Sequence, residues 1–293
     1  MRILVTGARG QLGSDCVEVL SAEHELLALD LPEFDIGDKA AVERAVDEFT
    51  PDCILNCAAY TRVDDCEDDR EAAYRANVTG PFHLASCAQK GGARIIHIST
   101  DYVFDGRKPY PQPYVEEDPV SPISFYGTTK AEGEKAVQDS CRRHVILRAA
   151  WMYGINGRNF PKTILRLALK NPAGILRVVD DQYGSPTWSY RLARQIEKIL
   201  ETDARGIFHA TSEGYCSWCA FAAAFLQEMG LPVRPLPCTS ADYPTRATRP
   251  ANSILENAAL KKKGWNRMLS WREDLAEFVS LHRDRLLREA RGK

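Results

Sequence analysis

Arg2-Ile3-Leu4-Val5-Thr6-Gly7-Ala8-Arg9-Gly10-Gln11-Leu12-Gly13 is a short apolar run followed directly by three glycines at three-residue spacing. The pattern predicts a strand, a tight turn and the start of a helix. Gly7 turns the chain where a side chain would clash, Gly10 lets backbone approach a pyrophosphate, and Gly13 lets the helix pack close to the strand. The helix start then presents unpaired N–H groups to an anion. Gly7, Gly10, Gln11, Leu12 and Gly13 are therefore candidate dinucleotide contacts, in a G-x-x-G-x-x-G spacing rather than G-x-G-x-x-G.

The next apolar run, Glu25 to Asp30, ends in an acid about twenty residues beyond the glycines. A carboxylate there accepts the ribose 2′-hydroxyl of NAD and repels the 2′-phosphate of NADP. Arg9 inside the loop can offset that repulsion, so the reading leans to NADH and leaves NADPH open. A helix Lys39–Phe49 leads through Pro51 to a strand Cys53–Cys57, which ends in the small residues Ala58 and Ala59 before Tyr60 and Thr61. A helix Asp69–Lys90, interrupted near Gly80-Pro81 and stopped by Gly91-Gly92, precedes the strand Arg94–Ile98. His97 alternates with isoleucines there, as a packed core histidine would.

This alternation predicts an α/β fold with a Rossmann-type, doubly wound parallel sheet. The dinucleotide-binding domain is expected over residues 1–150, with a helix near 190–202 returning to it. A smaller, interleaved substrate-binding region covers 151–293. Ligands of such sheets lie at the carboxyl ends of the strands, where Ser99, Thr100, Asp101 and Tyr102 follow the fourth strand. The proline-rich segment from Pro109 to Pro122 reads as a loop over the rim, its acids Glu116, Glu117 and Asp118 solvated.

Composition adds exclusions. The 293 residues are 44% hydrophobic and 27% charged, enough for a Rossmann-sized core, and a formal net charge of −2 leaves no footprint for nucleic acid. No apolar run reaches membrane-spanning length. The basic end, residues 282–293, interleaves acids and leucines like the solvated face of a last helix. The chain opens straight into its first strand, leaving no room for a signal peptide, so a cytoplasmic protein is expected. Nine cysteines are an odd number without a disulfide framework. Cys216-Ser-Trp-Cys219 has a metal-like spacing but no second ligand pair, and no metal site is assigned.

Ser124-Phe125-Tyr126-Gly127-Thr128-Thr129-Lys130 spaces a tyrosine and a lysine four apart, one turn along one helix face. A phenol is a poor acid or base near neutrality, and a nearby ammonium lowers its pKa. With a hydroxyl from Ser99 or Thr100, Tyr126 and Lys130 form a candidate acid/base group.

These motifs resemble the extended short-chain dehydrogenase/reductase superfamily and, within it, the dTDP-4-dehydrorhamnose reductases. The resemblance rests on Gly7-x-x-Gly10-Gln11-Leu12-Gly13, Asn56-Cys-Ala-Ala59-Tyr60-Thr61-x-Val63-Asp64, Ser99-Thr100-Asp101-Tyr102-Val103-Phe104, and Ser121-Pro122-x-x-x-Tyr126-Gly127-x-x-Lys130. Arg148-x-x-Trp151-x-Tyr153, Asn159-Phe160 and Asp181-Gln182-Tyr183-Gly184-Ser185-Pro186-Thr187 extend it. It implies reduction by NADH or NADPH of the C4 carbonyl of dTDP-6-deoxy-L-lyxo-4-hexulose. The implied roles are Tyr126 as proton donor, Lys130 on the nicotinamide ribose and lowering the phenol pKa, and Thr100 on the substrate oxygen or tuning the phenol.

The resemblance also implies cofactor contacts at Asp30, Asp35, Ile36, Ala58, Ala59, Tyr60, Thr61 and Ser99. Substrate contacts are implied at Val63, Thr100, Asp101, Tyr102, Trp151, Asn159, Gln182 and Arg249, with Trp151 stacking on the sugar. Arg246 and Arg249 suit a diphosphate. Tyr102 stands where related dehydratases carry a glutamate, which argues against water elimination. The other readings are a regulatory subunit like that of methionine adenosyltransferase and a reductase or epimerase for a sibling nucleotide sugar. The segment 105–122 is longer than in the family. Some members bind Mg2+ between subunits through a glutamate-rich surface, for which only Asp15 offers a faint counterpart, so monomer and homodimer both stay open.

Overall fold

The computed structural model describes residues 1–170 and 175–292. Six parallel strands form the main sheet in the order β10-β5-β4-β3-β1-β2. They are β1 (Arg2–Thr6), β2 (Glu25–Leu29), β3 (Cys53–Asn56), β4 (Arg94–Thr100), β5 (His144–Ala149) and β10 (Gly206–His209). Every residue of β3 and β4 is buried, as expected where helices cover both faces of a parallel sheet. The register sets Thr6 beside Asn56, Asn56 beside His97, and Thr100 beside Ala149. The carboxyl ends of the central strands thus finish along one edge.

On one face, α1 (Gln11–Leu20) and α7 (Ser189–Leu200) pack over a core that includes Ile3, Val5, Ile96, Leu147 and Ile196. On the other, α2 (Lys39–Phe49), α4 (Gly80–Gly91) and α5 (Phe125–Ser140) bury Leu4, Ile54, Leu84, Ile95 and Val137. A separate core gathers Tyr153, Trp188, Phe221, Phe225 and Phe278 from α6 (Phe160–Lys170), α8 (Trp218–Glu228), α10 (Trp271–Ala290) and their neighbours. The short strands β6 (Met152–Tyr153), β7 (Arg177–Val179), β8 (Tyr183–Gly184), β9 (Thr187–Trp188), β11 (Cys216–Ser217) and β12 (Leu236–Cys238) pair around it in twos. The remaining α-helices among the described residues are α3 (Arg70–Tyr74) and α9 (Ala258–Lys263). No helix among the described residues is long and apolar enough to cross a membrane.

Three local readings change. The helix from Asp69 is interrupted by a π-helical turn at Arg75–Thr79, before Gly80-Pro81, and Pro81 sits in the first turn of α4 where its missing N–H is tolerated. The widened turn frees Asn77: its Oδ1 accepts from Tyr60 N (2.8 Å), and its Nδ2 donates to Tyr60 O (3.1 Å) and Thr129 Oγ1 (3.0 Å). Second, two acids of the proline-rich segment are not simply solvated. Glu116 Oε1 accepts from His209 N (2.9 Å) and Ala259 N (3.1 Å), while Asp118 pairs with Lys108, so these carboxylates fasten the loop. Third, β10 supplies the sixth strand of the sheet; four residues are too short for periodicity to reveal.

Candidate active site

The glycine loop is shaped by backbone contact. Gly7 has φ +68°, and a Cβ there would lie 2.6 Å from Ala58 N; a Cβ on Gly13 would lie 2.0 Å from Gly7 O. Neither position admits a side chain. Gly10 N donates to Gly7 O (3.0 Å), and α1 begins at Gln11. Beside the loop, a cavity of about 210 Å³ is lined by Gly7, Gly10, Asp30, Asp35, Ile36, Ala58, Ala59 and Tyr60, so eight of the expected cofactor residues come together. Asp30 is held by two backbone donors, Arg9 N and Leu31 N, each at 2.7 Å. The Arg9 guanidinium turns to Glu33 and to the carbonyls of Leu31 and Asp30.

A second cavity, of about 630 Å³, runs from Gly10, Gln11, Leu12 and Gly13 past Thr61 and Val63 to Ser99, Thr100, Asp101, Tyr102, Tyr126, Lys130 and Trp151. The strand end of β4 delivers Thr100, and α5 delivers Tyr126 and Lys130. Ser124 caps that helix by accepting from Gly127 N (3.1 Å). Gly127 lies against Tyr102 O, which a Cβ would approach to 2.3 Å, so the helix start seats directly on the strand end.

Tyr126 and Lys130 are 8% and 2% exposed, although they line the cavity. Lys130 Nζ donates to Ile98 O (2.7 Å). Burial lowers its pKa to about 8, with Glu134 acting in the opposite sense. Burial also pushes the Tyr126 phenol well above its ordinary range, and the Thr100 hydroxyl only partly offsets this. The expectation that the ammonium lowers the phenol is thereby reversed: burial is the largest cause, and Lys130 is committed to a carbonyl. Thr100 Oγ1 donates to Asp101 Oδ1 (2.9 Å) and accepts from Tyr102 N (3.2 Å). Asp101 is 2% exposed, its Oδ2 lacks a partner among the described residues, and burial raises its pKa to about 6. Tyr102 packs edge-on against Tyr126, with centroids 5.5 Å apart.

Ser99 lines the cavity, but its hydroxyl points down to Glu134 Oε1 (2.5 Å). Trp151, in the left-handed region at φ +45°, lies flat on Trp218 with centroids 3.4 Å apart and ring planes 3° apart. Gly184 backs the same indole, and a Cβ there would come within 2.4 Å of it. One stacking face expected for a sugar is therefore covered by Trp218.

Three expected substrate residues do not line this cavity, because each is engaged elsewhere. Asn159 Nδ2 donates to Gln11 Oε1 (2.9 Å) and Gly154 O (2.7 Å). Gln182 Nε2 donates to Ser240 Oγ (2.9 Å). Arg249 pairs with Asp64 (3.0 Å), and Arg246 with Asp68. In their place the cavity gains Arg62, Met152, Arg158 and Trp218. Trp218 lies inside the Cys216-Ser-Trp-Cys219 stretch, whose spacing signals the thiols and not the indole; both cysteines are buried and free.

Asp15 is buried, accepts from Ser189 Oγ, and is raised to about 6 by burial. Among the described residues no group of three or more His, Cys, Asp or Glu side chains could hold a metal ion. His97 is fully buried and accepts from Asn56 Nδ2 at Nδ1 (3.0 Å), with its pKa held well below the usual range by burial.

Residues 1–283 match the family model described as the RmlD substrate binding domain. A dTDP-4-dehydrorhamnose reductase of Aggregatibacter actinomycetemcomitans is 45% identical over 87% of this chain and 90% of that protein. A dTDP-4-keto-6-deoxy-D-glucose reductase of Streptomyces niveus is 38% identical over 96% of this chain and 97% of its own length. The crystal structure of dTDP-4-dehydrorhamnose reductase from Bacillus anthracis in complex with NADP superposes with a TM-score of 0.91, at 37% identity over 95% of this chain and 98% of that one. By its match to the family model over residues 1–283 and to these relatives, the chain belongs to the dTDP-4-dehydrorhamnose reductase family of oxidoreductases.

Proposed function

We propose that the protein reduces the C4 carbonyl of dTDP-4-dehydro-L-rhamnose (dTDP-6-deoxy-L-lyxo-4-hexulose) to give dTDP-L-rhamnose, with NADH or NADPH as reductant and Tyr126 as proton donor. The observation that carries this reading is the position of Tyr126 and Lys130, buried in one cavity between the glycine loop and the Trp151 wall. The residues fit a dinucleotide: Gly7 and Gly13 let the turn and the helix start pack against backbone where a Cβ would collide, and the start of α1 offers N–H groups to a diphosphate. A reduced nicotinamide supplies hydride chemistry that no side chain offers.

Each residue then has a task. Asp30 faces the adenosine ribose, and Asp35, Ile36 and Ala58 bound the adenine side. Lys130 holds the nicotinamide ribose. Thr100 and Asp101 orient the sugar oxygen, with Tyr102, Val63 and the indole pair as walls. Tyr126 Oη gives its proton to the oxygen at C4. Its raised pKa keeps that proton on the phenol at neutral pH, which suits a donor in the reductive direction.

A second reading is a reductase for the sibling 4-keto-6-deoxyglucose nucleotide, favoured by the likeness to the Streptomyces niveus enzyme. The test is to supply the purified protein with dTDP-4-keto-6-deoxy-D-glucose, with and without a 3,5-epimerase, and to follow oxidation of NADH and NADPH. Turnover only with the epimerase supports the rhamnose reading, and NMR of the product identifies the sugar. No turnover with either reductant would overturn both. Tyr126→Phe should lose at least about a hundredfold in turnover while binding NADPH as wild type does.

A further inference from the structure

The cations around the large cavity are not equivalent. Lys130 is committed to Ile98 O. Arg62 donates to Tyr60 Oη (2.9 Å) and pairs with Asp65 (3.3 Å), while Arg249, outside the lining, pairs with Asp64. Arg158 lines this cavity and the neighbouring one that holds Lys162, Arg166 and Glu289, and among the described residues its guanidinium makes no hydrogen bond or ion pair.

Its neighbours fix where it stands. Gly157, at φ +71°, has its Cβ direction 3.6 Å from Gln11 Cβ, and Asn159 donates to Gln11 Oε1. The turn is thereby fastened on both sides of Arg158 to the first residue of α1, the helix whose start faces the glycine loop. Arg158 is carried to the junction where that loop meets the Trp151 and Trp218 wall. One turn further on, Lys162 is occupied by Glu289 and Ile155 O and does not compete. An arginine fork without an anion, beside backbone donors that seek one, is suited to bidentate binding of phosphate oxygens.

We propose that Arg158 is a ligand-binding residue that takes the diphosphate of a nucleotide seated in this cavity. The inference rests on the reading that the cavity receives a nicotinamide dinucleotide and a dTDP-sugar. Both carry a diphosphate, and the junction adjoins the space for each.

The test titrates wild type, Arg158→Ala and Arg158→Lys with NADPH alone and with dTDP alone, by fluorescence and calorimetry. Arg158 is exposed, and a thermal melt confirms that each variant folds. The expected result is binding weaker by about tenfold or more for one nucleotide in the alanine variant, and by less in the lysine variant. The nucleotide that loses affinity identifies the source of the diphosphate. The KM of the matching substrate, NADPH or the dTDP-sugar, should rise in the same proportion with kcat nearly unchanged, the mark of lost uniform binding. Arg166→Ala, one turn beyond Lys162, should bind both as wild type does. Unchanged affinity for both nucleotides in Arg158→Ala overturns the proposal alone. Failure of wild type to bind either one overturns the functional reading as well.

Discussion

Glu134 and Arg148 form a bidentate ion pair beneath the active-site floor, Nε to Oε1 at 2.9 Å and Nη2 to Oε2 at 2.7 Å, with side chains only 4% and 3% exposed. Glu134 is one turn from Lys130 on α5, and Arg148 lies on β5 beside Ser99 of β4, so the pair ties the helix that carries the Tyr/Lys group to the strand next to the one that carries Thr100. Ser99 Oγ completes the carboxylate, and the ring of Phe104 lies beneath the guanidinium at 5.1 Å. Removing one partner of such a pair leaves the other charge buried and uncompensated. Glu134→Ala should therefore lose about 3–5 kcal/mol, read from the urea midpoint at unchanged m-value. A loss below about 1 kcal/mol, the range of exposed pairs, would show that water replaces the carboxylate.

Lys130 gives stability a specific pH dependence. Its folded-state pKa is lowered to about 8 by burial, below the ordinary value of 10.5. Below pH 8 both states carry the proton, and the fold bears the full cost of a buried ammonium, on the order of 3 kcal/mol. Between pH 8 and 10.5 the folded state releases its proton first, so the unfolded state binds more protons and stability rises with pH. Replacing Lys130 by Met removes this contribution. Unfolding free energies of wild type and Lys130→Met, compared at pH 7 and pH 10, should move in favour of wild type as pH rises. A difference independent of pH would mean that the ammonium is solvated.

How much of this site is legible in the sequence depends on how local each signal is. Gly7 to Gly13 and Tyr126 with Lys130 announce themselves because a turn or one helix face fixes their spacing. Asp35 and Ile36 follow from the resemblance alone and Ala58 from its place at a strand end, and they line one cavity with Asp30 because parallel register brings the ends of neighbouring strands together. Trp218 and Arg158 come from distant segments, and nothing near them in the chain says that they meet Trp151 and Gln11. Gln182 and Arg249 show the converse: their residue types suit a ligand, but Ser240 and Asp64 occupy them in space. The raised phenol pKa of Tyr126 was out of reach as well, since desolvation is a property of the assembled core.

The indole stack predicts a steric phenotype at a glycine. A Cβ on Gly184 would meet Cε2 and Nε1 of Trp151 at 2.4 Å, far inside contact distance, and Trp218 closes a face of the same ring. Gly184→Ala should displace Trp151, weaken the circular-dichroism couplet of the two stacked indoles, and raise the KM for the sugar nucleotide more than that for NADPH. An intact couplet with unchanged KM values would mean that the loop, and not the ring, gives way.

Choice between reductants should turn on a surface carboxylate. Arg9 is the cation next to Asp30, but its guanidinium is taken up by Glu33 and two backbone carbonyls. While Glu33 holds it, Asp30 dominates the site that a 2′-phosphate would enter, which favours NADH. Glu33→Gln keeps the side-chain volume and removes the competing charge, so Arg9 becomes available to a phosphate. The ratio of kcat/KM for NADPH over NADH should rise in the variant, chiefly through a lower KM for NADPH. Asp30→Asn should shift the ratio in the same direction by removing the repulsion itself. Because the two changes act on one charge pattern, the double variant should gain less than the product of the single effects. A ratio unchanged in both single variants would place the 2′-position of the cofactor away from Asp30.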